Sequence, residues 1–200
     1  MTRIAHILSW VLSPILIPTY AVFAALWLTP LAMLPAGVRW NVVLMTCFVT
    51  CVLPGMAIML MYWMKIISDP GLNNRTERLV PYVLTIVCYL ACAWYLFSIH
   101  VPHWMWMFMV AGACTALISC IVNIWWKISA HAAAMAGFAA MLFRIASDHL
   151  GIVPMWPYIC GAIILCGALC TSRIILGRHT LWQVAAGSAN GFIVVYLLTM

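Results

Sequence analysis

Long apolar runs separated by short polar stretches dominate this chain. Requiring about 20 residues for each membrane crossing yields apolar segments at 8–29, 41–64, 80–98, 104–124, 131–147, 156–172 and 183–199. Pro14 and Pro18 lie inside the first segment and predict a kink there. The pattern predicts an all-α polytopic transmembrane helix bundle of six to seven spans, with residues 1–200 forming a single domain.

The composition agrees with a membrane-embedded chain. Hydrophobic residues make up 68% of the sequence and charged residues 6%, whereas about a quarter of the residues of a soluble domain are charged. The formal net charge is +6, but the cations do not form a soluble basic face. We therefore expect membrane lipids and phosphate-bearing lipids as partners, and no nucleic acid.

The cations are distributed unequally between the two membrane faces that the spans predict. The face that carries the N-terminus, hereafter the cationic face, holds Arg3, Lys65, Arg75, Arg78, Lys127, Arg173 and Arg178, and the opposite face holds Arg39 and Arg144. The positive-inside rule places the cationic face in the cytoplasm, and we expect an integral protein of a bacterial inner membrane.

Polar clusters begin three of the predicted helices on the cationic face, at residues 74–78, 127–131 and 178–179. Unpaired backbone N–H groups and the positive end of the helix dipole favour anions at such positions. The predicted ligand is a phosphate or diphosphate, and the cations that we expect to bind it are Arg75, Arg78, Lys127, Arg173 and Arg178.

Two histidines on this face suggest chemistry beyond binding. His131 and His179 each begin a predicted helix, and one imidazole can attack phosphorus while a second protonates the leaving oxygen. Gln183 follows His179 by four residues and so shares its helical face. Its amide is predicted to accept a hydrogen bond from the ring nitrogen of His179 that does not attack.

Three segments together resemble the motifs of the type 2 phosphatidic acid phosphatase (PAP2) superfamily. Ser172-Arg173, five further residues and His179 resemble its third motif, Ser-Arg-x5-His-x3-Asp. Ser129-Ala130-His131 resembles the Ser-Gly-His core of the second motif, and residues 74–81 are a loose version of the first, Lys-x6-Arg-Pro. The resemblance implies a PAP2-like helical core that removes phosphate from lipid phosphates without a metal or other cofactor.

Carried over to these positions, the resemblance implies roles for individual residues. His179 would be the nucleophile that forms a phospho-histidine, His131 the general acid, and Arg173 a catalytic arginine. The residues expected to bind the phosphoryl oxygens are Ser129, Lys127, Arg75, Arg78, Arg178 and Ser172. Substrates of this chemistry are amphiphiles such as polyprenyl (di)phosphate, phosphatidic acid or phosphatidylglycerol phosphate.

The motif set is degenerate, most importantly because Gln183 stands where the family has an aspartate. An amide can orient an imidazole but cannot neutralise its cation. Among the three acids of the chain, Asp148 lies at the far end of the helix of His131 and is predicted to pair with Arg144. Glu77 is on the cationic face, and we expect it either to supply negative charge near His179 or to pair with an arginine.

Two functions therefore remain open at the level of sequence. The first is a lipid phosphatase or phosphotransferase, and the alternative is a catalytically impaired PAP2-like protein that binds or transports a phospholipid. The residue pattern leaves the lipid and the oligomeric state open. It also leaves open the membrane side to which the site faces, because many members of the resembled family act on the outer side.

Overall fold

A computed structural model describes residues 2–69, 71, 74 and 76–200. The regular structure within these residues is helical, without a strand. The α-helices are α1 (Thr2–Val11), α2 (Ile17–Leu28), α3 (Ala36–Cys47), α4 (Leu53–Trp63), α5 (Leu79–Ser98), α6 (His103–Val122), α7 (Ala130–Ser147), α8 (Trp156–Ile175) and α9 (Leu181–Leu198).

Six helical segments of the described chain are long and apolar enough to cross a membrane: Ala36–Trp63, Thr76–Ser98, His103–Val122, Ala130–Ser147, Trp156–Ile175 and Leu181–Leu198. The first of these contains α3 and α4, which a short π-helix joins at Phe48–Val52. Large apolar side chains such as Trp94 and Ile164 are exposed on the outside of the bundle, as expected for helices that contact lipid. The protein is thus an integral membrane protein, and the last six predicted segments are confirmed to within a few residues.

The kink predicted within residues 8–29 is a complete break between two helices. Pro14 lacks a backbone N–H, and in a continuous helix its ring would clash with the carbonyl four residues before it. The chain therefore forms α1 and α2 with an irregular segment between them. The hydroxyl of Tyr89 donates a hydrogen bond to the Pro14 carbonyl at 2.9 Å. Irregular backbone at membrane depth requires such partners or a cavity beside it, and this segment has both.

The backbones of α7 and α9 approach each other closely. A Cβ atom added to Gly187 would lie 2.5 Å from the Ser129 carbonyl oxygen, and one added to Gly191 would clash with the Ala133 carbonyl oxygen. The backbone N–H of Ser129 also donates to the carbonyl of Gln183 at 3.1 Å. Small residues spaced four apart allow this approach between membrane helices.

We predict that Gly191→Ala destabilises the protein, because the added methyl group meets backbone atoms that cannot move without separating α7 from α9. Overpacking of this kind costs about 1–3 kcal/mol or more, and the variant should melt at a lower temperature in detergent. Gly167→Ala in α8 is the matched control, since nothing lies within 4 Å of its added Cβ. Equal melting temperatures for the two variants would contradict the tight α7–α9 contact.

Candidate active site

A cavity of about 650 Å³ extends from the cationic face into the bundle. Its polar part is lined by His131, His179, Arg78, Arg173 and Arg178, together with His6, Ser9 and Asp69. Its apolar part is lined by residues of the α1–α2 break and of α5, α6 and α9, among them Pro14, Ile17, Tyr89, Phe108, Met109, Gly112 and Val195. The two predicted histidines therefore share one cavity with three predicted arginines.

The cavity reaches deep into the membrane region. Ser119 and Phe108 both line it from α6, and they are separated by about 16 Å along the helix at 1.5 Å per residue. That is about half of the ~30 Å hydrocarbon thickness of a bilayer. The cavity thus combines a cationic end with an apolar channel about one leaflet deep.

A tight turn after α8 brings the third polar cluster to this cavity. Gly177 adopts φ +64°, a left-handed conformation that side chains disfavour. The turn is closed by a hydrogen bond from the Arg178 N–H to the Arg173 carbonyl at 3.0 Å. Arg173 at the end of α8 and His179 before α9 consequently lie on the same side of the turn.

Gln183 holds His179 in one tautomer. The backbone N–H of Thr180 donates to Gln183 Oε1 at 3.2 Å, which identifies that atom as the amide oxygen, and His179 Nδ1 lies 3.2 Å from the same oxygen. Because the oxygen can only accept, Nδ1 must carry the hydrogen. The predicted hydrogen bond is therefore present, and Nε2 of His179 keeps its lone pair.

His179 is buried beside several cations. Burial, followed by the positive charges of Lys127, Arg173 and Arg78, lowers the pKa of His179 from 6.5 to about 3. Burial and the neighbouring arginines also lower the pKa of Lys127. The imidazole of His179 is therefore neutral throughout the physiological pH range, as a nucleophile requires.

Arg173 is a buried lining cation that α1 helps to hold in place. It is buried, and its Nη1 donates to the hydroxyl of Ser9 at 2.6 Å. Its Nε is also buried and has no hydrogen-bond partner within the described chain. An unsatisfied, buried guanidinium donor is costly, and an anionic oxygen in the cavity is the kind of group that would satisfy it.

His131 and Arg78 complete the polar end of the cavity. His131 Nε2 lies 3.1 Å from the Ser9 carbonyl oxygen, and the ring is near enough to Arg173, His179 and Arg78 to interact electrostatically. Arg78 is buried before the first turn of α5, where Tyr82 contacts its side chain. Sequence reasoning did not identify Ser9, because no spacing relates α1 to α7 or α8.

Several predicted phosphate-binding residues have other contacts. Ser129 is the N-cap of α7 and accepts from the Ala132 N–H at 3.3 Å, while the Ser172 hydroxyl donates to the Ala168 carbonyl at 2.8 Å. Neither serine lines the cavity. Lys127 lies near His179 without lining the cavity, and Arg75 lies outside the described residues.

Two of the three acids, Glu77 and Asp69, lie near the cationic face in different surroundings. The carboxylate of Glu77 accepts from the backbone N–H of Ser68 at 2.8 Å and from the Asn74 amide at 3.1 Å. Glu77 does not line the cavity of His179, whereas Asp69 does. Glu77 therefore stabilises the loop before α5, and the contacts of its carboxylate in the described chain are with Ser68 and Asn74.

The remaining acid follows the prediction. Asp148 forms an ion pair with Arg144 at 2.7 Å, and the two residues are four apart at the end of α7. Both residues are on the face opposite the candidate site. The predicted pairing of Asp148 with Arg144 is confirmed.

Across the part of the chain that the structure describes, no group of three or more His, Cys, Asp or Glu residues is arranged to hold a metal ion. Comparisons of the chain with protein-family models, with curated proteins and with solved structures find no match. A functional interpretation consequently depends on the residues and geometry of the cavity.

We predict that Lys127→Gln raises the pKa of His179 from about 3, because it removes a nearby positive charge that disfavours the imidazolium. The rise should be partial, since burial is the larger cause and is unchanged. Nitrogen-15 NMR of histidine-labelled protein over a pH series measures the shift. Lys65→Gln, on the same face but outside the cavity, is the control, and an equal rise in both variants would contradict the assignment.

Proposed function

We propose that this protein is a lipid phosphatase or phosphotransferase that removes phosphate from an amphiphilic lipid (di)phosphate through a phospho-histidine, without a metal. The observation that carries the proposal is the convergence of two imidazoles and three arginines at one end of a cavity whose remainder is apolar. A cationic end fits a phosphoryl group, and an apolar channel about one leaflet deep fits a lipid chain.

The reaction would proceed in two steps. His131 takes up a proton when the anionic phosphate binds and offsets the nearby positive charge. The lone pair on His179 Nε2 attacks phosphorus, the bond from phosphorus to the lipid oxygen breaks, and His131 transfers its proton to that oxygen to give the free lipid alcohol. A water molecule then attacks the phospho-histidine, the P–N bond breaks, and His131 accepts the proton of the water as inorganic phosphate leaves.

The cations would act mainly on the charge of the phosphoryl group. Arg173 presents a buried and unsatisfied Nε, and Arg78 and Arg178 line the same end of the cavity. Positive groups that are already positioned where negative charge develops stabilise a transition state without reorganisation. Burial, together with the charges of Lys127, Arg173 and Arg78, also keeps His179 neutral until an anion offsets those charges.

We propose further that the chain is a diverged PAP2 protein with a PAP2-like core and functions in a bacterial inner membrane. Support comes from the order of the three polar segments along the chain and from the presence of His131, Arg173 and His179 at one cavity. The positive charge of the cationic face supports a cytoplasmic orientation of that face.

A catalytically impaired protein that binds or transports a phospholipid is the alternative, and Gln183 is the observation that favours it. Its amide oxygen occupies the position next to His179 Nδ1 where a carboxylate would stabilise the imidazolium. Tight binding of a lipid phosphate by the purified protein with no phosphate release would select this alternative.

We predict that purified protein releases phosphate from a panel of lipid phosphates in the presence of EDTA, and that His179→Ala abolishes the release, because the attacking nitrogen is lost. His103→Ala is the control, since His103 contacts Trp106 at the start of α6, remote from the cavity. Phosphate release that persists in His179→Ala would contradict the phospho-histidine.

We predict that Gln183→Glu increases the rate of phosphate release. The carboxylate has the length of the native amide, so it retains the hydrogen bonds to His179 and Thr180 while adding a negative charge that stabilises the imidazolium. Loss of a carboxylate at such a position costs several powers of ten elsewhere, so we expect a gain of about tenfold or more. Gln183→Leu, which removes both bonds, should lower the rate, and an unchanged rate in both variants would contradict an orienting role.

A further inference from the structure

Helix α1 contributes a buried polar residue to the polar end of the cavity. Ile4, Ile7 and Trp10 are more than 60% exposed on one side of α1, whereas Ala5 and Ser9 are its buried residues. These two small residues, four apart, face the bundle and allow α1 to pack against α8. Ser9 thereby reaches the cavity between Arg173 and His131.

Ser9 binds both of these residues. Its hydroxyl accepts from Arg173 Nη1 at 2.6 Å, a short bond typical of charged donors. Its carbonyl lies 3.1 Å from His131 Nε2, and because a carbonyl can only accept, Nε2 must carry the hydrogen. Nδ1 is then the nitrogen of His131 that remains for proton transfer.

Pro14 explains why this carbonyl is free to bind a side chain. In a continuous helix the Ser9 carbonyl would accept from the N–H of Ser13, and the Trp10 carbonyl from residue 14. Pro14 has no N–H, and the N–H of Ser13 donates instead to the Trp10 carbonyl at 3.3 Å. The Ser9 carbonyl is thereby left without its usual partner and accepts from His131.

We propose that Ser9 is a positioning residue, which fixes the guanidinium of Arg173 through its hydroxyl and the tautomer of His131 through its carbonyl. The consequences for catalysis rest on the proposed function, but the two contacts do not. Each of the two imidazoles proposed to act on phosphate is then held at one nitrogen by a neutral amide oxygen, from Gln183 for His179 and from the Ser9 backbone for His131. The nitrogens that act on the phosphoryl group are Nε2 of His179 and Nδ1 of His131.

The role of the Ser9 hydroxyl is tested by measuring the affinity of the purified protein for dodecyl phosphate. We expect Ser9→Ala to weaken binding about tenfold, as for the loss of a hydrogen bond to a charged group, and to raise KM more than it lowers kcat. Ser9→Thr keeps the hydroxyl and should restore most of the affinity. Thr171→Ala is the control, because its hydroxyl bonds to Gly167 within α8 and is exposed. Wild-type affinity in Ser9→Ala would overturn this part of the proposal.

The role of the Ser9 carbonyl is tested in the absence of substrate, by determining the tautomer of His131. Nitrogen-15 NMR of histidine-labelled protein should show His131 with its hydrogen on Nε2. Pro14→Ala supplies an N–H that can donate to the Trp10 carbonyl, so the N–H of Ser13 can return to the Ser9 carbonyl and compete with His131. The tautomer of His131 should then become mixed. Pro30→Ala, on the opposite face, is the control and should leave the tautomer unchanged. A wild-type spectrum with the hydrogen on Nδ1, or no response to Pro14→Ala, would overturn the assignment.

The experiments separate this proposal from the proposed function. If lipid phosphates are hydrolysed and Ser9→Ala behaves as wild type, the enzyme stands and the role of Ser9 falls. If no lipid phosphate is hydrolysed but the tautomer of His131 responds to Pro14→Ala, the positioning of His131 by α1 stands and the phosphatase falls.

Discussion

The contact between the backbones of α7 and α9 is the constraint on which the candidate site depends. It is possible only because Gly187 and Gly191 have no side chain where Ser129 and Ala133 approach. The contact places the start of α7 against the start of α9, where the Ser129 N–H bonds to the Gln183 carbonyl. His131 lies two residues after Ser129 and His179 four residues before Gln183, so this backbone contact brings both imidazoles to one cavity.

One arginine and two imidazoles at the polar end of the cavity have neutral hydrogen-bond partners. Arg173 bonds to a hydroxyl, His179 to a side-chain amide and His131 to a backbone carbonyl. These neutral partners orient the three groups without adding negative charge, and burial together with the positive field of Lys127, Arg173 and Arg78 keeps His179 unprotonated. The same field attracts an anion, so one electrostatic arrangement supports both binding and nucleophilic attack.

The break in the first apolar segment links the fold to this arrangement. Pro14 ends α1, which frees the Ser9 carbonyl for His131 and leaves an irregular segment beside the cavity. The hydroxyl of Tyr89 satisfies the Pro14 carbonyl, so the break has a polar partner within the bundle. A kink predicted from two prolines is thus a complete helix break that shapes both the polar and the apolar parts of the cavity.

Much of the candidate site could be predicted from residue types and their order along the chain. Residue type, position on the cationic face and motif spacing together point to His131, His179, Arg78, Arg173 and Arg178. Other predicted site residues have structural contacts instead. The hydroxyls of Ser129 and Ser172 bond to their own helices, and Glu77 bonds to the preceding loop.

The sequence by itself determined the last six spans and the contacts between residues four apart, namely His179 with Gln183 and Arg144 with Asp148. The length of each apolar run determines the spans, and the 3.6-residue repeat of the α-helix determines the contacts between residues four apart. Neither depends on other parts of the chain. Only the tertiary structure decided that Ser9 contacts His131 and Arg173. That contact joins residues 122 and 164 positions apart, and it depends on how α1 packs against α8 after the chain breaks at Pro14.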